Sequence, residues 1–390
     1  MKVTHVNTYC TGGAAKACRR IVGALNKSGV DSKMLVLYKT NNDSDTIDFR
    51  DEYSLIKNYQ LKFSNKWFVI NHARNFGNRE ELFSSYEPVW KVEDHSLIKN
   101  ADVVHLHWVS GFVNFPSFFS MNKKKVVVTM HDYFPFSGGA HYPNPLFENE
   151  KFKTATKRNL ELLSKLYKPS NIYFVGPSQY IVDRFTKTMG TGFKTSVIKN
   201  PVDSKVFYKK EVSELRSKLG YTENDKILLF VNEKEGYKRK GCQIFIEMLP
   251  EILKLGYKVI LMGEKTLRIN DPDVFQTGYI SSDEELNNYY NMADLFVCVS
   301  LDDNLPNVIS ESHSAGTPVI AFETGGIPEM IEEGKNGFLV PKFDTKVYLN
   351  KLNQFLNLSM NRDEISSKAH AVYSESAIAR QYSDIYDQKS

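Results

Sequence analysis

The stretch VCVSLDDNLPNVISESHSAGTPVIAFETGGIPEMIEEGKNGFLV, Val297 to Val340, decides how this chain is read. It opens on a short apolar run ending at Ser300, the pattern of a parallel strand buried on both faces. A polar loop over 301–305 follows, and then Pro306, whose fixed φ suits the first turn of a helix. Glu311 falls inside that helix, eight residues after Asp303. The helix is expected to stop at Gly316. A second strand is expected from Pro318 to Phe322, and Gly325–Gly326 are expected to open another helix. A helix start presents unpaired backbone N–H groups and a partial positive charge, so it favours anions such as phosphate. With one carboxylate in the loop and another in the helix, the pattern suits a ligand with a phosphate end and a hydroxyl-rich end.

Working outward, 390 residues give two domains as the natural expectation. An apolar fraction of 42% and a charged fraction of 25% describe ordinary globular material with ample core. A net charge of +4 does not by itself argue for nucleic acid, and no nucleic-acid signature stands elsewhere in the chain. Cys10, Cys18, Cys242 and Cys298 are scattered and form no CxxC pair, which reads as reduced thiols in a cytosolic protein. The opening MKVTHVNTY alternates like a strand and lacks the apolar core of a signal peptide. No apolar run approaches membrane-spanning length. The expected location is cytoplasmic, at most peripheral at the inner face of the plasma membrane.

Taken in order, Lys2–Tyr9 reads as a strand, Gly12–Gly13 as the turn into a helix, and Ser32–Tyr38 as the next strand. The glycines do not match G-x-G-x-x-G, so a dinucleotide fingerprint is not supported. They serve either a close backbone approach to a ligand or a helix start that needs small residues for packing. Residues 53–79 contain no Asp or Glu but carry Lys57, Lys62, Lys66, Arg74 and Arg79 among aromatic side chains. Such a segment can lie on an anionic membrane or hold an anionic acceptor. The other reading is a helical insertion whose aromatics pack on the core and whose lysines are solvated. His105 and His107 share one face of the strand over 101–108. No third metal ligand lies at useful spacing, so structural histidines are preferred to a metal site. His131 ends the strand over 123–130 beside a glycine loop, the place where catalytic groups of doubly wound sheets sit. Asp132 reads as a cap or loop anchor.

Asn200-Pro201-Val202-Asp203 is turn punctuation and marks a domain boundary. The expected domains are 1–201 and 202–373, with a helix over about 374–390 packing back on the first. The second half repeats the alternation of strand and helix. Two Rossmann-like doubly wound parallel-sheet domains facing each other across a cleft follow from this. The loop over 233–237 leads to Lys238-Arg239-Lys240-Gly241, which is either a diphosphate clamp or a solvated basic loop.

Several segments together resemble the retaining glycosyltransferases of family four, which have the GT-B fold. The family's E-x7-E motif is matched by Asp303 and Glu311, followed by Gly316-Thr317-Pro318-Val319-Ile320 and Gly325-Gly326-Ile327-Pro328-Glu329. Gly12-Gly13, VHLHW near 104, HDYFPFSGGAHY from His131, VGPSQY from Val175, KNPVD from Lys199, Arg239-Lys240-Gly241 and Gly278-Tyr279-Ile280 are also similar. Within the family, the HLHW and HDYFPFSGG forms look like members that build bacterial surface polysaccharides.

The resemblance implies transfer of a sugar from a nucleotide donor to a glycan or lipid-linked acceptor, with retention and without a catalytic metal or other cofactor. Arg239 and Lys240 would meet the charge growing on the leaving diphosphate, Lys240 carrying the larger share. The segment Asn304, Leu305, Pro306, Asn307 and Val308 would hold the diphosphate or sugar through its backbone N–H groups. Glu311 would accept from the ribose hydroxyls and Asp303 from those of the donor sugar. Gly278, Tyr279 and Ile280 would line the base. Gly12 and Gly13 would approach the phosphates, and His131 the donor sugar near the reacting centre. The acceptor would sit on the first domain, over residues 53–79. Three features depart from the family. Asp303 stands where the motif has Glu, Ala140 where many relatives have Cys, and the loop before Gly241 is longer than usual. A nucleotide-sugar epimerase and a non-catalytic nucleotide-sugar binding protein remain alternatives on the same fold.

Overall fold

The computed structural model describes residues 1–77, 81–168, 171–232, 238–263 and 269–388. Residues 233–237 and Arg79 of the basic segment lie outside them. The chain forms two compact units, one of residues 1–201 with 375–390 and one of residues 202–374.

The first unit is built on a sheet of β1 (Lys2–Tyr9), β2 (Asp31–Tyr38), β3 (Thr46–Asp48), β4 (Val103–Leu106), β5 (Lys125–Thr129), β6 (Ile172–Gly176) and β7 (Lys194–Val197), in the order β3-β2-β1-β4-β5-β6-β7. All its pairs are parallel. The apolar runs VVHL and KVVVT become β4 and β5 because a parallel sheet covered on both faces buries every side chain. Alternation sorts them. Val104, Leu106, Val126 and Val128 join one core, and Val103 and Val127 join the other. That other core is closed by the helices Gly13–Lys27 and Glu375–Asp387, the latter through Ile378, Ala379, Tyr382, Ile385 and Tyr386.

The second unit repeats the plan with β8 (Lys226–Asn232), β9 (Tyr257–Gly263), β10 (Val274–Gly278), β11 (Leu295–Cys298), β12 (Val319–Glu323) and β13 (Gly337–Pro341), in the order β10-β9-β8-β11-β12-β13. Both sheets are doubly wound and parallel, the GT-B plan expected from the sequence. In each sheet the order reverses once, between β1 and β4 and between β8 and β11. Ligands of doubly wound sheets bind in the crevice outside the carboxyl ends of the strands at such a point.

Three details differ from the sequence reading. Gly325–Gly326 open only a single 3-10 turn, Ile327–Glu329, because the chain turns back at Glu332–Asn336 to reach β13. The strands read over 101–108 and 123–130 are shorter, Val103–Leu106 and Lys125–Thr129. β3 is too short to show a period.

Residues Leu55–Phe76 form a helix that buries none of its residues. Its half-buried side is Asn58, Leu61, Asn65, Phe68, His72 and Phe76, at helical spacing. That side is tied down by His72 Nε2 to the Phe83 carbonyl (2.8 Å) and by Trp90 Nε1 donating to Asn65 Oδ1 (3.2 Å). Leu55, Ile56, Tyr59, Phe63, Trp67, Val69 and Ile70 are exposed. The expectation that the segment's aromatics pack on the core therefore fails for Tyr59, Phe63 and Trp67, whose helix positions point away from it. Among the described residues no helix is long and apolar enough to cross a membrane.

Candidate functional site

In the second unit β8 and β11 are neighbours, with Leu229 beside Phe296. The loops that follow them are stitched together. Lys238–Lys240 form a 3-10 turn, and Gly241, at φ 72°, caps the helix Cys242–Lys254. A Cβ on Gly241 would fall 1.9 Å from the Val299 carbonyl oxygen, so only glycine lets the two loops approach this closely. Leu301 N donates to the Arg239 carbonyl (2.7 Å), and Arg239 Nη1 donates to the Asp302 carbonyl (2.7 Å). On the other flank, Thr324 Oγ1 donates to the Leu301 carbonyl (2.9 Å) and Gly326 N to the Asp303 carbonyl (3.0 Å). Gly325 lies so close that a Cβ would fall 1.8 Å from that same Asp303 oxygen.

These contacts hold a charged cluster. Asp303 is buried, and its Oδ2 accepts from Lys240 Nζ at 2.7 Å, with Arg239 Nη1 at 3.7 Å. Burial alone would push the Asp303 carboxyl up. Lys240 and Arg239 outweigh it, and the group stays below the ordinary carboxylate value. Two cations facing one carboxylate leave a net positive spot, the charge a diphosphate would seek. Leu305 is buried beside it, and Pro306 caps the helix Asn307–Ser314, one position earlier than the sequence placed it. Glu311 lies in that helix, buried, with Tyr290 OH donating to its Oε2 at 3.3 Å. Gly278, at φ 82°, ends β10 at the sheet edge, followed by the exposed Tyr279 and by Ile280, which packs on the core.

The structure thus gathers Lys240, Arg239, Asp303 and Asn304–Val308 at the switch point. Gly278–Ile280 stand at the outer strand of the same sheet. Asp303, read from the sequence as a sugar ligand, is here the counter-ion of Lys240.

In the first unit, Gly12 (φ 93°) caps the helix Gly13–Lys27 directly after β1, and both glycines are exposed. A Cβ at Gly12 would meet nothing within 4 Å, so packing does not require glycine there; the backbone conformation does. Thr8 N donates to the Trp108 carbonyl and Trp108 N to Asn7 Oδ1, both at 2.8 Å, joining the ends of β1 and β4. His131 follows β5, half-buried. Asp132 beside it is the loop anchor. Its carboxylate accepts from His141 Nδ1 (2.6 Å), Trp108 Nε1 (2.7 Å) and Phe134 N (2.9 Å). Sequence reading missed the part played by His141.

It also missed His5. Parallel pairing sets His5 opposite His105, and His5, His105 and His107 bring ring nitrogens within 4.8 Å of one another. A third histidine does lie within reach of His105 and His107, contrary to the spacing along the chain: it comes from β1. Nothing in the local pattern MKVTHVNTY reveals it, because the pairing of β1 with β4 is non-sequential.

Sequence patterns of known families settle the relationship. The family described as "Glycosyltransferase Family 4" matches residues 11–206, and "Glycosyl transferases group 1" matches residues 225–357. The chain belongs to glycosyltransferase family 4. This family 4 chain is 30% identical over 213 residues to spore coat protein SA of Bacillus subtilis (strain 168), covering 48% of this chain and 55% of that protein. It is 26% identical over 204 residues to the N-acetyl-alpha-D-glucosaminyl L-malate synthase of Bacillus anthracis, covering 48% and 52%. The chain spans about half the length of these curated relatives. Among solved structures, sucrose-phosphate synthase from Thermosynechococcus elongatus superposes with a TM-score of 0.68 at 18% identity, covering 99% and 98% of the two chains. HepE of Anabaena in complex with UDP-glucose superposes with a TM-score of 0.67 at 16% identity, covering 99% of each. At such identities these likenesses establish the fold of the family 4 chain.

Proposed function

We propose that this family 4 chain is a glycosyltransferase that moves a sugar from a nucleoside-diphosphate sugar to a glycan or lipid-linked acceptor, with retention at the anomeric carbon, in bacterial surface-polysaccharide synthesis. The observation that carries this reading is the cluster of Lys240, Arg239 and Asp303 at the β8–β11 switch point. In the reaction the bond from the anomeric carbon to the β-phosphate oxygen breaks, and a bond to the acceptor oxygen forms. The acceptor's proton leaves with the diphosphate. Negative charge grows on the leaving oxygen, and fixed cations aimed there lower the barrier without rearranging. When the diphosphate arrives, Lys240 exchanges part of its bond to Asp303 for one to phosphate, and Asp303 keeps the ammonium in place. The start of the Asn307–Ser314 helix adds N–H donors for the same anion. Glu311 is assigned to the ribose and Gly278–Ile280 to the base. Gly12 and Gly13 are assigned to the phosphates and His131 to the donor sugar. Neighbours of the same fold hold UDP-glucose, UDP or ADP, which supports a nucleoside-diphosphate donor. The reading calls for no metal ion or other cofactor, since the two cations meet the leaving charge.

A panel of labelled nucleotide sugars tests this. Slow donor hydrolysis, or transfer to an acceptor, insensitive to EDTA, supports the reading. Interconversion of the free donor sugar would mark an epimerase. Binding with no turnover under any acceptor would mark a non-catalytic binding protein.

The Leu55–Phe76 helix supports peripheral attachment to an anionic membrane at the cytoplasmic face, where a lipid-linked acceptor would be met. It has Lys57, Lys62, Lys66 and Arg74 with no acidic residue, and it leaves Tyr59, Phe63 and Trp67 exposed. Flotation with vesicles of anionic and of neutral lipid at low salt tests this. Equal absence from both lipid fractions would remove the membrane role.

A further inference from the structure

Three histidines form a hydrogen-bonded ladder at the carboxyl end of the first sheet. His5 Nδ1 lies 2.9 Å from His107 Nε2, and His107 Nδ1 lies 3.0 Å from His131 Nε2. The successive rings are stacked, with centroids 5.2 and 5.3 Å apart and planes at 24° and 27°. His105 stands beside the ladder and does not extend it. Its Nδ1 meets Tyr386 OH and its Nε2 meets Thr129 Oγ1, each at 2.7 Å.

Burial pushes the ladder's rings down, His5 to about 3, His131 to about 4 and His107 well below its ordinary value. All three are therefore neutral at physiological pH. A neutral imidazole has one N–H and one lone pair, and each N···N bond needs one of each. The rings must then share one order, with the proton on Nδ1 in all three or on Nε2 in all three. The far end decides between them. His5 is fully buried and its Nε2 has no hydrogen-bond partner. In the Nε2 order that atom would be an orphaned N–H. In the Nδ1 order it is only an unused lone pair. Orphaned buried N–H groups are the rarer defect.

We propose that His5 and His107 are positioning residues that hold His131 in its Nδ1–H form. Resting on the transferase reading, the consequence is that His131 offers a hydrogen-bond donor, not an acceptor, to an oxygen of the donor sugar. His107 passes the order to His131 directly, and His5 satisfies the buried His107 Nε2 behind it.

The test is a two-bond ¹⁵N–¹H correlation spectrum of the full chain, labelled with ¹⁵N-histidine, at pH 7.5 without ligand. His131 is expected as a single Nδ1–H species. An Nε2–H species, or a mixture, overturns the proposal, and the unmodified protein decides this whether or not any variant folds. In His107→Leu the His131 ring loses the partner that fixes its Nε2, and its nitrogens should shift to mixed tautomers. An unchanged His131 there would also overturn it. His107→Asn, whose amide nitrogen overlays Nδ1 and can donate to His131 Nε2, should restore the single species, and failure to do so with the fold intact counts against the ladder. The tautomer is read without substrate, so a failed transfer assay and a failed ladder are separate results.

Discussion

Lys240 Nζ lies 2.7 Å from Asp303 Oδ2, although the two residues stand 63 apart in the chain. Lys240→Ala should lower turnover by roughly 10²–10³, as loss of one preorganised donor to a developing anion does. It should also destabilise the second unit, because buried Asp303 loses its nearest cation and is left with Arg239 at 3.7 Å and the Asn304 backbone N–H. With Lys240 partly exposed, about 1–3 kcal/mol is expected, less than for a fully buried pair. Adding Asp303→Asn should recover much of that stability and none of the turnover. Thermal melts and single-turnover rates of the two variants separate the roles. Equal turnover in wild type and Lys240→Ala would remove the clamp.

The three glycines at the two switch points should behave differently. Gly325→Ala and Gly241→Ala each place a Cβ under 2 Å from a carbonyl oxygen, at φ 59° and 72°. Strained φ and overlap together should cost about 3 kcal/mol or more, with both loops displaced. Gly12→Ala meets no neighbour and bears only the cost of its glycine-only backbone, φ 93° and ψ 171°, about 1–3 kcal/mol. Denaturant midpoints rank the three. If Gly12→Ala also loses far more donor turnover than its stability accounts for, the backbone there approaches the ligand.

Stability should fall on the acid side. His5, His105, His107 and His131 all titrate below their ordinary value in the folded chain, with burial as the main cause. In the unfolded chain they take up protons near pH 6.5. Between that value and about 4 the unfolded state binds more protons, so the stabilisation is complete above about pH 6.5 and is lost as pH drops. Each ring adds roughly 1.4 kcal/mol per pH unit to the slope. Melting temperatures from pH 7.5 to 5 should decline steeply, and less steeply in His5→Phe. A flat profile would mean that the rings are not held neutral.

Phe63→Ser with Trp67→Ser should reduce binding to anionic vesicles at least roughly tenfold, since each ring buried in an interface contributes about 1.5–3 kcal/mol. The melting temperature should stay nearly constant, because the two residues are 69% and 66% exposed. Co-sedimentation and a thermal melt on the same sample give both numbers. A large fall in melting temperature would place these rings in a core instead.

Glu311→Gln should weaken nucleotide binding while leaving the Tyr290 contact in place. Titration calorimetry with UDP measures this, and unchanged affinity removes the ribose assignment.

Much of this was legible because it is local. Val297–Val299 and Val319–Phe322 read as buried strands from their apolar runs, and Glu311 fell in its helix by spacing from Pro306. The pairings were not legible where strand order is non-sequential. Lys240 meets Asp303 only because β8 lies beside β11, and His5 meets His107 only because β1 lies beside β4. The glycine of Arg239-Lys240-Gly241 was visible, but its reason, the Val299 carbonyl, comes from another loop. Thr46–Asp48 has three residues and no measurable alternation. The outward aromatics of Leu55–Phe76 defeated the packing expectation because a helix at a surface can spend its apolar side chains on something other than its own core.

The helix Glu375–Asp387 belongs to the first unit, while residues 202–374 form the second. Emerging from the ribosome, the first 201 residues therefore present a sheet whose face at Val3, Val103, Val127 and Val175 still lacks Tyr382, Ile385 and Tyr386. The second unit has all of its own strands before that cover arrives. In order of synthesis, the unit that begins first is finished last. A nascent chain stalled at residue 201 would expose an unsealed apolar face, and His105 would lack its Tyr386 partner until Glu375–Asp387 is made.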